Sequence, residues 1–179
     1  MMKVYYMKKK AFTVSLIAVV FFLAQPLIAS DQVTFLVHLK TSLKKDDAQI
    51  CVDYNVIWAA LEEGLNVEVL VDADAINTFK VGWRGKDDIE TFKIPERLRK
   101  TLAEQFSADL DTVPKTYGDY LVMLHDKGAR FYINTGFLIV SKIGTPDDLL
   151  GNVSTKFFEP ITLKEMVRLR AEADVYMVY

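Results

Sequence analysis

The first regular pattern along the chain is an apolar, mostly β-branched and aromatic run from Val33 to Leu39. A run that is apolar at nearly every position is typical of a strand covered on both faces. A second run of this kind is Val67–Val71, and it is followed by Asp72 and Asp74. We predict that the two runs are neighbouring strands of a parallel sheet, with both aspartates at the carboxyl end of the second.

Between these two runs, apolar residues recur at steps of three and four instead of occupying every position. This spacing predicts an amphipathic helix. Asp46 is its expected N-cap, with Gln49 at the fourth position of a capping box, and Gly64 is its expected end. The predicted apolar stripe is Cys51, Tyr54, Trp58, Leu61 and Leu65, widened by Val52, Val56 and Ala59. A strand–helix–strand unit with short loops favours parallel strands and a right-handed crossover.

The rest of the chain continues to alternate between helical and extended patterns. A short helix is expected over Ala73–Lys80, and an irregular loop over Val81–Phe92. The later predictions are helices over Pro95–Phe106 and Tyr117–Lys127, a strand at Phe131–Ile133, a helix over Phe137–Ile143, a short helix capped by Thr145, a short strand or extended piece at Ser154–Phe158, a helix from the cap Thr162 to Ala173, and a terminal strand, Val175–Tyr179. This order predicts an α/β fold, a three-layer sandwich with a mainly parallel sheet.

The first thirty residues have the pattern of a secretory signal. Four lysines precede an uncharged stretch, Ala11–Ser30, and the chain turns polar at Asp31. We predict that residues 1–30 are a cleaved signal peptide and that 31–179 form one domain, periplasmic or secreted. An uncleaved membrane anchor is the alternative, because about 20 uncharged residues can span a bilayer.

Charge and cysteine content exclude several classes of function. Four of the 22 Lys and Arg lie in the signal, so 18 remain against 24 Asp and Glu, a net charge of −6. An acidic domain without a clustered basic surface is not expected to bind nucleic acid. Cys51 is the only cysteine, so no internal disulfide can form. No phosphate loop follows the first strand and no zinc-type spacing occurs, so neither a cofactor nor a metal is predicted.

Ligand sites in open α/β folds lie at the carboxyl ends of the strands, and several candidate side chains fall there. His38, near the end of the first strand, could bind a ligand or move a proton, or hydrogen-bond a nearby loop. Asp72 and Asp74 could accept a proton or bind a cation, or act as turn and cap residues. The strand Phe131–Ile133 ends at Asn134-Thr135-Gly136, a turn that offers an amide and a hydroxyl but no thiol, imidazole or carboxylate.

Two other candidates are expected to be structural. Cys51, the one possible thiol nucleophile, lies on the apolar stripe with Tyr54 and Trp58, where burial raises the pKa of a thiol and makes it inert. His125 lies late in a predicted helix, where a cation is favoured by the helix dipole.

Four segments carry a resemblance to a known family. They read FLVHLKTSLKKDDAQ with WAALEEGLNVEVLVDADAI, then LVMLHDKGARFYINTGF, GTPDDLLGNV and KEMVRLRAEADVYMVY. Together they make the chain from Val33 to Tyr179 similar to the DsrE/DsrF-like family, small α/β proteins of sulfur trafficking. The resemblance implies a DsrE-like sheet, a relative of flavodoxin-like folds, and assembly into homo-oligomers, trimers or hexamers.

The same resemblance identifies the turn after Ile133 as the position of the family's active site. Catalytic members carry cysteine there, often as C-x-G-C, and the thiol accepts and passes a persulfide. In this chain Gly136 matches the glycine, while Asn134 and Phe137 occupy the cysteine positions. A thiolate is the species that attacks and carries sulfur, so sulfur relay at this turn is not expected.

Three functional hypotheses remain open on the sequence. The first is an exported, non-catalytic DsrE-like domain that binds a small ligand or a protein partner at the carboxyl edge of its sheet, in sulfur or redox metabolism. Its expected ligand-binding residues are His38, Asp72, Asn134, Thr135, Gly136 and Phe137. The second is a sulfurtransferase or redox enzyme that uses Cys51. The third is a structural assembly subunit, in which exposed apolar residues such as Trp83 hold the oligomer together.

Overall fold

The computed structural model describes residues 32–82 and 87–179, except for the side chain of Asp88. The predicted signal peptide and Trp83 lie outside the described residues. The described strands are β1 (Thr34–Leu39), β2 (Asn66–Val71), β3 (Arg130–Asn134), β4 (Glu159–Ile161) and β5 (Val175–Val178). None of the helices in the described ranges has the length and apolar character needed to cross a membrane.

All five strands are parallel and form one sheet in the order β4-β3-β2-β1-β5. In the register of the sheet, His38 on β1 lies opposite Leu70 on β2 and Val178 on β5. The carboxyl ends of β1, β2 and β3 therefore meet at one edge, as predicted for the α/β class. The C-terminal strand pairs with β1 and forms an outer edge of the sheet.

Helices follow most of the strands. Their bounds are α1 (Asp47–Glu62), α2 (Asp88–Thr91), α3 (Glu96–Gln105), α4 (Tyr117–Asp126), α5 (Thr135–Val140) and α6 (Leu163–Glu172), with a 3₁₀ helix over Ala73–Phe79. Two predicted caps are confirmed: the Asp46 side chain accepts from the Gln49 N–H, and Thr162 and Glu165 form a capping box. The predicted loop Val81–Phe92 contains α2, and 83–86 within it are not described.

The two faces of the sheet differ in what covers them. Val37, Val69 and Phe131 point into the larger core, which includes residues of α1, α3 and α4. The alternate residues of the same strands, such as Leu36 and Leu70, pack against α6 in a smaller second cluster. This is the expected three-layer sandwich. His38 lies on the α6 side, because side chains two apart on a strand share a face.

The buried face of α1 differs from the predicted stripe. Val52 is 48% exposed, whereas Ile50 and Ile57, which were not predicted to face the core, are fully buried. Tyr54 and Trp58 are buried as expected. The reason is that α1 is apolar on most of its circumference, so the period alone could not fix which residues meet the sheet.

The prediction of a short helix capped by Thr145 is wrong. Backbone hydrogen bonds run both ways between Thr145 and Asp148, which closes a tight turn over Pro146 and Asp147. Proline is favoured at the second position of such a turn as well as in the first turn of a helix, so the local signal was ambiguous.

Of the two alternatives predicted for Ser154–Phe158, the short strand does not form, and β4 begins only at Glu159. Phe157 and Phe158 both lie against Phe131, with ring centroids 5.5 and 5.8 Å away. Consecutive residues of a strand would point to opposite faces, so two adjacent rings on one partner require an irregular backbone. The Ser154 N–H donates to the backbone oxygen of Phe79, and the aromatic residues that follow pack onto Phe131.

Candidate functional site

The turn after β3 is organised by the side chain of Asn134. Its Oδ1 atom accepts hydrogen bonds from the backbone N–H of Gly136 (2.8 Å) and of Phe137 (3.4 Å), so Asn134 is the N-cap of α5. The helix expected over Phe137–Ile143 therefore begins two residues earlier, at Thr135, and ends at Val140. Asparagine is among the most favoured N-cap residues because its amide oxygen can reach these donors.

The same side chain connects the turn to β2. Asn134 is 2% exposed, and its Nδ2 atom donates to Oδ1 of Asp72 at 2.7 Å. Oδ1 of Asp72 also accepts from the backbone N–H of Ala73 at 2.7 Å, so this carboxylate caps the 3₁₀ helix. The cap role considered for Asp72 is therefore present, and the carboxylate also belongs to a polar cluster.

The backbone after Asp72 is strained. Ala73 has a φ of +50°, in the left-handed region that non-glycine residues rarely adopt. Such a conformation costs about 1–2 kcal/mol for an L-residue and persists only where surrounding contacts hold it. At the same point the Ala73 N–H donates to the Asp72 carboxylate, and this hydrogen bond helps to fix the carboxylate at the edge of the sheet.

His38 lies between Asp72 and the C-terminal strand. Its Nε2 atom is 3.4 Å from Oδ2 of Asp72, and its Nδ1 atom is 2.7 Å from the hydroxyl of Tyr176. Burial, together with the positive charge of Arg170, lowers the pKa of His38 from 6.5 to about 4, although the Asp72 carboxylate opposes both. The imidazole is therefore neutral at physiological pH.

Arg170, on α6, completes the cluster. Its Nη2 atom lies 3.7 Å from Oδ2 of Asp72, so the carboxylate faces a neutral imidazole and a guanidinium. Within 32–82 and 87–179, the buried atoms His38 Nε2 and Arg170 Nε make no well-aligned hydrogen bond. Buried polar atoms of folded proteins nearly always have a hydrogen-bond partner. These two nitrogen atoms are exceptions in one cluster, and an additional acceptor would satisfy them.

Of the six predicted ligand-binding residues, three are linked by contacts through Asp72, and the other three follow Asn134 directly along the chain. His38, Asp72 and Asn134 form a continuous chain of contacts across β1, β2 and β3. Thr135 is half-buried in the first turn of α5, Gly136 is exposed, and Phe137 is 40% exposed. Arg170 and Tyr176, which the sequence did not single out, belong to the cluster by contact.

The other acidic and imidazole candidates have local partners. Asp74 accepts from the Ser42 hydroxyl at 2.6 Å and from the Asn77 amide at 3.0 Å, and the first of these bonds lowers its pKa. It thus fastens the loop after β1. The His125 ring stacks on Phe157 at 4.1 Å, on the other side of the sheet.

Cys51 lies away from this cluster, in the second turn of α1. It is half-buried and packs against the larger core. The Asn55 amide approaches its sulfur at 3.6 Å. Burial raises the pKa of the Cys51 thiol, which disfavours the thiolate that sulfur chemistry requires.

The described part of the chain contains no grouping of three or more His, Cys, Asp or Glu side chains that could hold a metal ion. The cluster at the sheet edge can instead donate and accept hydrogen bonds, and it can transfer protons through a neutral imidazole.

Comparison with known proteins identifies the fold of this chain. No protein-family model matches the chain, and no curated protein matches it. The crystal structure of the YchN protein from E. coli is similar, with a TM-score of 0.51 at 15% sequence identity, over 83% of this chain and 99% of YchN. YchN has a DsrE-like fold. The chain described here therefore has a DsrE-like fold.

Proposed function

We propose that this protein is an exported DsrE-like domain that does not relay sulfur and instead binds a small oxygen-rich ligand at the carboxyl edge of its sheet. One observation carries the proposal: His38, Asp72 and Arg170 converge at this edge, with two buried nitrogen atoms that make no well-aligned hydrogen bond in the described residues. A ligand oxygen would supply the missing acceptor.

The position of Asn134 supports a binding role over a sulfur-relay role. A relay thiol must be free to attack, whereas the Asn134 amide is engaged with α5 through its oxygen and with Asp72 through its nitrogen. The residue therefore holds the edge in one arrangement. Pre-organisation of this kind favours binding, because fewer groups have to be ordered when the ligand arrives.

The chemistry of the cluster indicates the class of ligand. The Arg170 guanidinium carries only donors, and a His38 imidazole with its proton on Nε2 presents a donor as well. Both favour a ligand that accepts hydrogen bonds, such as a small oxyanion or carboxylate, and the Asp72 charge limits how much negative charge the edge can take. The family resemblance makes sulfite and thiosulfate the first compounds to test.

The test is thermal unfolding in the presence of millimolar sulfite, thiosulfate, acetate or, as a cationic comparison, methylammonium. A compound at a hundred times its Kd stabilises the folded state by about 2.7 kcal/mol and raises Tm by several degrees. We expect an acceptor-only compound to do so, and Arg170→Met and His38→Gln to abolish the shift.

Two variants serve as matched controls. Arg168→Met removes a neighbouring, exposed arginine of α6, and His125→Gln removes the exposed histidine of α4. Neither residue contacts Asp72, so both variants should retain the full shift. If no compound shifts Tm, or if the control variants lose the shift as well, binding at this edge is contradicted.

A second role, assembly with another copy of the chain, is favoured by exposed apolar side chains on two helices. Val140 on α5 is 76% exposed, and Leu163 and Val167 are exposed on successive turns of α6. The family resemblance implies homo-oligomers, and apolar surface of this kind is typical of interfaces. Sedimentation should show an oligomer that Val167→Lys weakens. A wild-type monomer at micromolar concentration contradicts this role.

A further inference from the structure

Tyr176 is the most exposed residue of the polar cluster. Tyr176 lies on the outer strand β5 and is 42% exposed, whereas His38 beneath it is 2% exposed. The distance from the Tyr176 hydroxyl to Nδ1 of His38 is 2.7 Å, and the two rings lie side by side with centroids 6.0 Å apart. Of the cluster residues, the tyrosine is therefore the one most open to a reagent in solution.

The Asp72 carboxylate determines the direction of the hydrogen bond between Tyr176 and His38. Oδ2 of Asp72 lies 3.4 Å from Nε2 of His38, a long contact that acts mainly through charge. A carboxylate on one ring nitrogen favours the proton on that nitrogen, so Nε2 carries the hydrogen and Nδ1 has a free lone pair. Consequently the Tyr176 O–H donates to Nδ1. Because burial keeps the imidazole neutral, this acceptor is present throughout the physiological pH range.

We propose that Asp72, His38 and Tyr176 form a proton relay that makes the Tyr176 hydroxyl a nucleophile toward activated acyl and sulfonyl compounds. The arrangement is that of a hydroxyl, an imidazole base and a carboxylate that orients the base, which is how hydroxyl nucleophiles are activated in proteins. It gives the edge a reactive oxygen, where the related sulfur-relay proteins rely on a thiol.

The proposed step balances without any redox change. With a sulfonyl fluoride, the Tyr176 oxygen forms a bond to sulfur, and fluoride leaves with the electrons of the S–F bond. The phenolic proton moves to Nδ1 of His38 and then passes to water, because burial disfavours the imidazolium and the Asp72 charge offsets this only in part. An activated ester reacts in the same way at its carbonyl carbon, with loss of its alkoxide or phenolate.

This inference does not depend on the oxyanion binding proposed above, and the two can fail separately. Arg170→Met should abolish oxyanion binding, yet it leaves the contact between Tyr176 and His38 in place. Labelling is therefore measured without any added oxyanion, and a labelled Tyr176 in Arg170→Met would separate the two proposals.

The experiment is labelling of the purified protein with phenylmethanesulfonyl fluoride, followed by peptide mass spectrometry at several times and pH values. Tyr132 and Tyr179 are internal comparisons, because both are half-buried and burial raises the pKa of each. We expect Tyr176 to react at least about tenfold faster than either, since a positioned general base contributes factors of this size or more.

The pH profile distinguishes assistance by His38 from simple exposure. A tyrosine that reacts unaided must first ionise, so its rate rises about tenfold per pH unit below a pKa of about 10. Assistance by a neutral imidazole instead gives a rate that changes little between about pH 6 and 8, because the pKa of His38 is lowered to about 4. A structural hydrogen bond alone would not produce this flat profile.

Variants complete the test. His38→Gln and Asp72→Asn should each slow labelling of Tyr176 at least about tenfold and restore the steep pH profile, since loss of either the base or its orienting partner removes the relay. His125→Gln should change nothing. The proposal is overturned if Tyr176 in the wild-type protein reacts no faster than Tyr132 and Tyr179, or if its rate rises tenfold per pH unit. The wild-type profile decides this even if a variant fails to fold.

Discussion

The side chain of Asn134 joins two elements of the sheet edge: its amide nitrogen donates to Asp72 across 2.7 Å, while its oxygen caps α5. Its two hydrogen-bonding functions are used at the same time, so substitution should affect both the helix and the cluster.

We predict that Asn134→Ala lowers the free energy of unfolding by about 2–3 kcal/mol, the sum of a lost cap and a lost buried hydrogen bond. Thr162→Ala is the matched control, because it removes the cap of α6 without touching the cluster and should cost about 1 kcal/mol. Urea denaturation of both variants measures the difference. Equal costs would show that the bond to Asp72 contributes nothing.

The strained residue beside Asp72 gives a second prediction. Glycine tolerates the positive φ of Ala73, so Ala73→Gly should stabilise the protein by about 0.5–1 kcal/mol. Ala75→Gly lies in the same 3₁₀ helix at a buried position without a positive φ, and it should destabilise by about 1 kcal/mol. Thermal unfolding checks both signs, and a destabilised Ala73→Gly would contradict the account of strain.

Much of the fold could be predicted from the sequence, because strand patterns, helix patterns and capping residues are local signals. The strands around His38 and Asp72, and the capping box at Thr162, follow directly from such patterns. The turn at Thr145 was predicted wrongly because its residues suit a tight turn as well as a helix. The short strand predicted as one alternative for the segment with Phe157 does not form, because the contact with Phe131 overrode the local preference.

Only part of the polar cluster could be predicted from the sequence. His38, Asp72 and Asn134 could be placed at one edge, since carboxyl ends of parallel strands meet there. Tyr176 and Arg170 could not, because their presence depends on β5 pairing beside β1 and on which face of α6 meets the sheet. Neither the strand order nor the rotation of a helix is encoded locally.

The environment of Cys51 predicts low reactivity. The thiol is half-buried and burial raises its pKa, so little thiolate is present at pH 7.5. We expect Ellman's reagent to react with the folded protein at least about tenfold more slowly than with the protein in guanidinium, since reaction requires the thiolate and access. Equal rates would instead favour the hypothesis that Cys51 carries sulfur.

Asp53 provides a prediction about pH, because it is buried in α1 without a compensating charge. It is 1% exposed, and its two oxygen atoms have no hydrogen-bond partner in the described residues. Burial, assisted by the charge of Asp46, raises its pKa from 3.8 to about 8. The folded state keeps a proton that the unfolded chain has lost, so this group makes stability fall as the pH rises from about 4 to about 8.

His38 has the opposite effect over part of the same range. Its pKa falls from 6.5 in the unfolded chain to about 4 in the folded one, so its contribution to stability is lost as the pH falls from about 6.5 to about 4. Each slope is at most about 1.4 kcal/mol per pH unit. Between pH 4 and 6.5 the two slopes oppose each other, and above pH 6.5 only that of Asp53 remains.

Single variants should reveal the two slopes separately. Asp53→Asn removes the decline, so its free energy of unfolding should rise between pH 4.5 and 6.5 and then stay level to pH 8.5. His38→Gln removes the opposing contribution of His38 and keeps that of Asp53, so the free energy of unfolding should fall throughout that range. Urea denaturation at pH 4.5, 6.5 and 8.5 measures both. The same pH dependence in Asp53→Asn and in the wild-type protein would show that this carboxyl group ionises normally, and that the burial seen here does not hold its proton.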